Sequence, residues 1–246
     1  MNHGATAATV QRDGGSRPLV VAHRGAWDEA PQNSLEAVRR AVALGCDAVE
    51  IDVRRTADGR LVIVHDARLG WRTVHGLTHR EVQARMRPGQ APLLGDVLLA
   101  AAGRLLVDIE LKEDGYVPDV SGLIDAHLRP EQYVITSFAP AVLAQVKRHL
   151  PHARTGLLIG PRAARQAGRR LRESGADFAA PHLSLARIGF LEWAAERRLA
   201  CWMWTVNETR AIQALRSNPW VAALITDVPA TALRLSHRVD LADSRE

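Results

Sequence analysis

Three carboxylates and two histidines draw attention by where they fall in apolar runs. In Ala48–Val53 the order is Ala-Val-Glu-Ile-Asp-Val, so Glu50 and Asp52 stand two residues apart. Alternate residues of a strand point to the same side, so both carboxylates face one way while Val49, Ile51 and Val53 face the other. Carboxylates turned together into an interior repel each other and lose hydration, and something positive must compensate. A single hard divalent cation, Mg²⁺ or Ca²⁺, takes oxygen ligands and would do so. An Arg- or Lys-paired carboxylate network would do so as well. Glu110, in Asp108-Ile109-Glu110-Leu111-Lys112, is a candidate third carboxylate, with Lys112 two residues on and on the same side.

His23 and His65 each end an apolar run, and each is followed by a charged residue, Arg24 and Asp66. With an ordinary pKa near 6.5, a histidine pair can hold one proton between its members near neutrality. One ring then accepts a proton from a nucleophile while the other donates one to a leaving oxygen. The competing reading is a structural role, the usual one for a lone histidine, and it is the expectation for the remaining histidines. Arg24 offers a fork of donors that suits a phosphate.

These residues need elements to position them. Apolar runs at Leu19–His23, Ala48–Val53, Leu61–Val64, Leu105–Ile109, Tyr133–Thr136, Thr155–Ile159, Ala176–Ala180, Cys201–Val206 and Ala222–Thr226 alternate with helical patterns such as Ser34–Leu44, Pro140–Leu150, Ala164–Ser174 and Ile188–Arg198. Such alternation implies parallel strands joined by crossover helices. The 246 residues suit a single (β/α)₈ barrel with a short insertion after the second strand unit, taking the strand pair at 48–64 as one irregular unit. A doubly wound open sheet is the alternative. The barrel is preferred because the polar residues cluster at the C-terminal strand ends, which a barrel gathers on one face and an open sheet separates.

Composition removes other classes. Hydrophobic residues make up 47% and charged residues 24%, too apolar for a wholly disordered chain. No uncharged apolar run is long enough for a membrane span, so no stable membrane anchor is expected. The net charge is +5, but Lys112 and Lys147 are the only lysines and the arginines are scattered, so no nucleic-acid partner is expected. Cys46 and Cys201 lack CxxC spacing and read as buried free thiols in a reducing, cytoplasmic compartment. Residues 1–17 are expected to be a disordered leader, 18–236 the barrel domain and 237–246 a polar tail.

The motifs together closely resemble the glycerophosphodiester phosphodiesterase family. They are His23-Arg24-Gly25, Pro31-Gln32-Asn33-Ser34, Glu50-Ile51-Asp52-Val53, Asp58 through Asp66, Arg72-Thr73, Gly76-Leu77-Thr78, Glu110-Leu111-Lys112, Thr136-Ser137-Phe138, Trp204-Thr205-Val206-Asn207 and Thr226-Asp227-Val228-Pro229. They run in order over residues 19–236. The resemblance implies a (β/α)₈ barrel, one divalent cation and cleavage of glycerophosphodiesters to an alcohol and glycerol 3-phosphate. It implies Glu50, Asp52 and Glu110 as metal ligands, His23 and His65 as the acid–base pair, and Arg24 and Lys112 as phosphate contacts. Trp204 would wall the substrate pocket, although barrel core is its other reading. The alternatives carried are a lysophospholipase D-like activity at the same site and a non-catalytic phosphate-ester binding protein.

The chain departs from the family at Gln32, where Glu is usual; Gln keeps hydrogen bonding but not charge. Asn33 and Ser34 suit a helix N-cap. Asn207 is expected to cap the helix that follows it, Asp227 to orient a loop, and His182 to lie on the surface. The segment 67–93 is basic, with Trp71 as its one large exposed anchor and Val82 and Met86 turned inward. That favours small deacylated glycerophosphodiesters over acylated ones.

Overall fold

The computed structural model describes residues 17–28 and 30–237. Except for Arg17 and His237, the expected leader and tail lie outside these residues. Arg17 is bound to the body of the protein, its guanidinium 2.6 and 3.0 Å from the Asp47 carboxylate.

Eight parallel strands form the barrel: β1 (Leu19–His23), β2 (Ala48–Arg55), β6 (Leu106–Leu111), β7 (Tyr133–Ser137), β8 (Arg154–Ile159), β9 (Phe178–Pro181), β10 (Cys201–Met203) and β11 (Val221–Thr226). Closure comes from β1, which pairs with β11 through Leu19↔Ala223 to Ala22↔Thr226 and with β2 through Val21↔Ala48 to His23↔Glu50. Helices α1 (Leu35–Leu44), α3 (Leu94–Ala101), α4 (Val117–His127), α5 (Pro140–His149), α6 (Ala167–Ser174), α7 (Phe190–Ala195), α8 (Thr209–Arg216) and α9 (Pro229–His237) follow the strands in turn. The outward side of the sheet and the inward faces of the helices share one core that includes Val49, Ile51, Val53, Ile109, Leu98 and Val146. Both cysteines are buried and free, and burial pushes each thiol up to about 12, so neither is poised to react.

The inside of the barrel is layered. At the bottom, Leu19, Val21, Ala48, Leu106, Val134, Phe178, Trp202 and Ala223 pack together. Gly156 makes room for this layer, since a Cβ there would lie 2.2 Å from the Phe178 ring. Two residues further along several strands the inward positions turn polar: Val21 gives way to His23, Ala48 to Glu50 and Asp52, Leu106 to Asp108 and Glu110, and Val134 to Thr136. Period-two alternation therefore places apolar packing at one end and chemistry at the other.

The irregular second unit takes a definite form. β2 runs past the barrel rim, and β3 (Leu61–Ile63) returns antiparallel along its protruding end, with Val53↔Ile63 and Arg55↔Leu61 paired. The insertion beyond β3 contains a small hairpin, β4 (Arg68–Leu69) with β5 (Arg72–Thr73), and a short helix, α2 (His79–Gln83). A capping box between Thr78 and Glu81 starts α2. The insertion has its own apolar cluster of Val62, Val64, Val74, Leu77, Val82 and Ala91, with Met86 packed against it.

Candidate active site

The register of β2 and β6 pairs Glu50 with Asp108 and Asp52 with Glu110. Four carboxylates thus stand on adjacent strands inside the upper barrel, all less than a tenth exposed. Oxygens of Glu50, Asp52 and Glu110 lie within 4.8 Å of one another. Lys112 Nζ reaches between two of them, 2.7 Å from Asp52 Oδ1 and 2.6 Å from Glu110 Oε1. These are ion pairs by distance without hydrogen-bond alignment, and Glu50 Oε1 and Asp108 Oδ2 have no partner at all.

Charge does not balance among these residues. Lys112 and Arg24 offset four carboxylates. Burial, with the Asp52 and Glu110 charges, drives the Glu50 carboxyl well above its ordinary range. Burial likewise pushes Asp108 and Glu110 up to about 7. Asp52 is also penalised by burial, but the Lys112 and Arg24 charges outweigh that and hold it below its usual value. A set of oxygen donors short of positive charge, with a buried Glu50 oxygen unpartnered, fits a hard divalent cation.

The loop after β1 wraps this cluster. Arg24 and Asn33 both adopt left-handed backbone, φ 59° and 55°. Such a conformation persists in non-glycine residues only when its surroundings hold it. Here Arg24 N–H donates to Glu50 Oε2 at 2.9 Å, Asn33 N–H to Arg24 O at 2.9 Å, and Asn33 Nδ2 to Asp52 Oδ2 at 2.7 Å. Gly25 is required between them, because a Cβ would approach Ala37 Cβ to 2.6 Å. Of the two expected caps, Ser34 accepts from Ala37 N–H, whereas Asn33 turns inward to Asp52. Arg24 places Nε 3.3 Å from Asp52 Oδ2 and donates from Nη1 to Gln32 Oε1 at 2.9 Å. Gln32 therefore binds Arg24 without neutralising it.

Both imidazoles line the pocket above the carboxylates. His23 Nε2 lies 3.9 Å from Glu50 Oε2, and Nδ1 lies 2.7 Å from Asp227 Oδ1. Asn207 holds that carboxylate: Nδ2 donates to Asp227 Oδ2 at 2.6 Å, and Oδ1 accepts from Asp227 N–H at 2.9 Å. Asn207 is thus not the helix cap expected from the sequence (Glu208 takes that position), and Asp227 orients a histidine. Asp227 loses some ionisation tendency to burial but gains more from the His23 and Asn207 hydrogen bonds, so its carboxyl sits below the ordinary value. His65 reaches the site by the return of β3, where Val64 N–H donates to Asp52 O at 2.8 Å. Its Nδ1 lies 2.8 Å from Asp66 Oδ1, and burial is the main cause of a lowered pKa.

The opposite wall is apolar, made by Phe138, Leu158, Trp204 and Ile225. Trp204 donates from its indole N–H to Ala180 O at 2.6 Å and is edge-packed by Phe138 and His182, centroids 5.5 and 4.9 Å away. His182 is therefore packed against a pocket-wall residue and is not a free surface residue. Asp108, not among the site residues expected from the sequence, also lines the pocket and accepts from Thr136 Oγ1 at 2.7 Å. Its i, i+2 relation to Glu110 was the available signal.

The model of the glycerophosphoryl diester phosphodiesterase family matches residues 23–85 and 102–231. A glycerophosphodiester phosphodiesterase of Caldanaerobacter subterraneus is 33% identical over 163 residues, 58% of this chain and 67% of that protein. In fold, the chain is similar to a glycerophosphoryl diester phosphodiesterase structure from Silicibacter pomeroyi, with TM-score 0.81 and 23% identity over 96% of this chain and 98% of that one. It is also similar to an Oleispira antarctica phosphodiesterase solved with the product sn-glycerol-3-phosphate, with TM-score 0.77 and 21% identity over 89% and 96% of the two chains. The family match covers most of the described barrel, including the strands that carry the carboxylates and both histidines, and the chain belongs to the glycerophosphoryl diester phosphodiesterase family, as a phosphodiesterase on a (β/α)₈ barrel.

Proposed function

We propose that the chain hydrolyses glycerophosphodiesters to an alcohol and glycerol 3-phosphate. Glu50, Asp52 and Glu110 would hold one divalent cation, Mg²⁺ or Ca²⁺, and His23 and His65 would move the protons. The observation that carries this reading is the charge-deficient carboxylate cluster set directly beneath two imidazoles in one pocket. The product bound to the Oleispira phosphodiesterase is consistent with it.

When bound, the cation supplies charge neutralisation at the phosphoryl group. Arg24 and Lys112 line the same pocket and bind the phosphoryl oxygens. His65, its pKa lowered chiefly by burial, is neutral near pH 7 and takes the proton of the nucleophile, which is water or the adjacent glycerol hydroxyl. His23, backed by the Asp227 carboxylate, gives its proton to the leaving alcohol. Trp204 and Phe138 wall the organic part of the substrate. The two free, buried cysteines support placing this activity in a reducing cytoplasm.

Deacylated substrates such as glycerophosphocholine are the reading for substrate size. One observation favours lysophospholipase D-like turnover as the second: the apolar wall opens outward to Phe138, which is 41% exposed. Phosphorus NMR on glycerophosphocholine and its monoacyl form, with chelator and then with Mg²⁺ or Ca²⁺ restored, tests both. Glycerol 3-phosphate should form from glycerophosphocholine only with the cation. Faster turnover of the monoacyl form would move the assignment to the second reading. Cation binding without turnover of either would reduce the chain to a phosphate-ester binding protein.

A further inference from the structure

Five large apolar side chains are exposed among the described residues: Trp27, Trp71, Leu99, Phe138 and Ile188. Three lie on segments that leave the C-terminal ends of barrel strands: Trp27 follows β1, Phe138 follows β7 and Ile188 follows β9. The fourth, Trp71, lies in the insertion that hangs from β3, which is antiparallel and paired with the protruding C-terminal end of β2. Leu99 alone sits elsewhere, on helix α3. The topology therefore gathers exposed apolar side chains on the end of the barrel that holds the pocket.

We propose that this face docks reversibly on an anionic lipid surface, with Trp71 as its anchor. Trp71 is 77% exposed. It occupies the two-residue tip of the β4–β5 hairpin, where Leu69 pairs with Arg72 and Gly70 takes φ 63° to make the turn. An indole held at a turn tip contributes nothing to the core, whereas its apolar body and polar N–H suit the headgroup region of a bilayer. Charge on both sides of it has the matching sign. Arg68 donates to the Trp71 carbonyl, and the Arg72 guanidinium lies 5.3 Å from the indole centroid. Across residues 67–93, five arginines face the single acidic residue Glu81, a net +4. Basic residues beside an interfacial aromatic are attracted by anionic headgroups, and the pair adds to apolar insertion.

Within residues 67–93 Trp71 is the one large exposed apolar side chain, too little for interfacial binding by itself. The fold changes that count, because Trp27, Phe138 and Ile188 come to the same end from three other loops. No helix among the described residues is long and apolar enough to cross a membrane, so the association would be one of surface contact. Docking goes beyond the hydrolytic reading and does not depend on it.

Co-sedimentation of the full chain with phosphatidylcholine vesicles, with and without phosphatidylglycerol, tests the proposal. Binding should require phosphatidylglycerol and weaken as salt rises. Trp71→Ala should lower the partition coefficient by about tenfold or more. Arg68→Ala should lower it about fivefold, the worth of one basic residue near an anionic surface. Leu99→Ala should leave it unchanged. Turnover of soluble glycerophosphocholine should be the same in Trp71→Ala as in the parent chain, which shows that the fold survives. Absence of binding to phosphatidylglycerol vesicles overturns the proposal, as does an equal loss in Trp71→Ala and Leu99→Ala. Trp71-dependent self-association without vesicle binding also overturns it and assigns the face to a second copy of the chain. Vesicle binding with no turnover would count against the hydrolytic reading alone.

Discussion

His23 and His65 share one pocket but are held by different means. His23 ends a barrel strand, its side chain 19% exposed, and its partner Asp227 comes from the far end of the chain, where β11 closes the barrel against β1. Asn207 fixes that partner through both its carboxylate and its backbone N–H. His65 lies outside the eight-stranded barrel, its side chain 40% exposed, and its partner Asp66 is the next residue and 72% exposed. What anchors His65 is its backbone: Arg54, itself buried and ion-paired with Glu113, donates from Nε and Nη2 to His65 O at 3.0 and 2.7 Å. A half-buried, doubly held carboxylate sets the tautomer and orientation of a ring and compensates a positive charge on it. An exposed neighbour does so weakly, because water screens it. The first arrangement suits a proton donor and the second a neutral acceptor.

The largest expected effect is the loss of either ring. His23→Ala and His65→Ala should each lower kcat by about 10²-fold or more on an unactivated diester, the scale of general acid–base catalysis. Circular dichroism and thermal unfolding should show little change, since neither side chain is part of the core. Near-normal turnover in either variant would remove that residue from the chemistry.

Next in size is the difference between the two carboxylate partners. Asp227→Asn should lower turnover by about 10-fold or more, as for other residues that orient a reactive histidine. Asp66→Asn should cost no more than about threefold, in line with an exposed pair. Equal losses would erase the distinction between the two histidines. Replacing Arg54 tests the backbone anchor. Arg54→Met leaves His65 O without its donors and should cost about 1–3 kcal/mol of stability by urea unfolding. A variant as stable as the parent would show that Arg54 does not hold that loop.

The smallest effect is a pH dependence. The folded Asp227 carboxyl sits below its ordinary value, so it adds stability that is fully present above the unfolded pKa of about 3.9 and is lost as pH falls through the folded value. Asp227→Asn should therefore be less stable than the parent near pH 7, by about 1 kcal/mol. The gap should close as the solution is acidified below pH ~4. A gap that widens in acid would contradict the assignment of Asp227 as the ionised partner.

These contrasts also show what a sequence can and cannot reveal. Glu50, Asp52 and Glu110 were legible because period-two alternation is a local property, and His23 and His65 because each closes an apolar run. Asp108 obeys the same alternation and was legible in principle. Glu110 is the more legible of the two because it lies nearer the end of the apolar run, with Lys112 two residues on. The link from Asp227 to His23 was not legible, since it depends on the register Ala22↔Thr226 that only barrel closure creates. Nor was the inward turn of Asn33, because Asn is equally at home as a helix cap and the choice depends on Asp52 being within reach. The protruding end of β2 with β3 folded back along it was expected only as an irregular unit. The antiparallel return that sets His65 beside Asp52 is a tertiary fact.

The most direct test of the account is the dependence of each histidine variant on the leaving group. Glycerophosphodiesters carrying p-nitrophenol, which departs without protonation, are compared with those carrying choline, which does not. His23→Ala should recover to within about tenfold of the parent kcat/KM on the p-nitrophenyl ester while remaining about 10²-fold or more impaired on glycerophosphocholine. His65→Ala should stay equally impaired on both. Recovery of His65→Ala alone, or equal recovery of the two variants, would contradict the assignment of His65 as acceptor and His23 as donor.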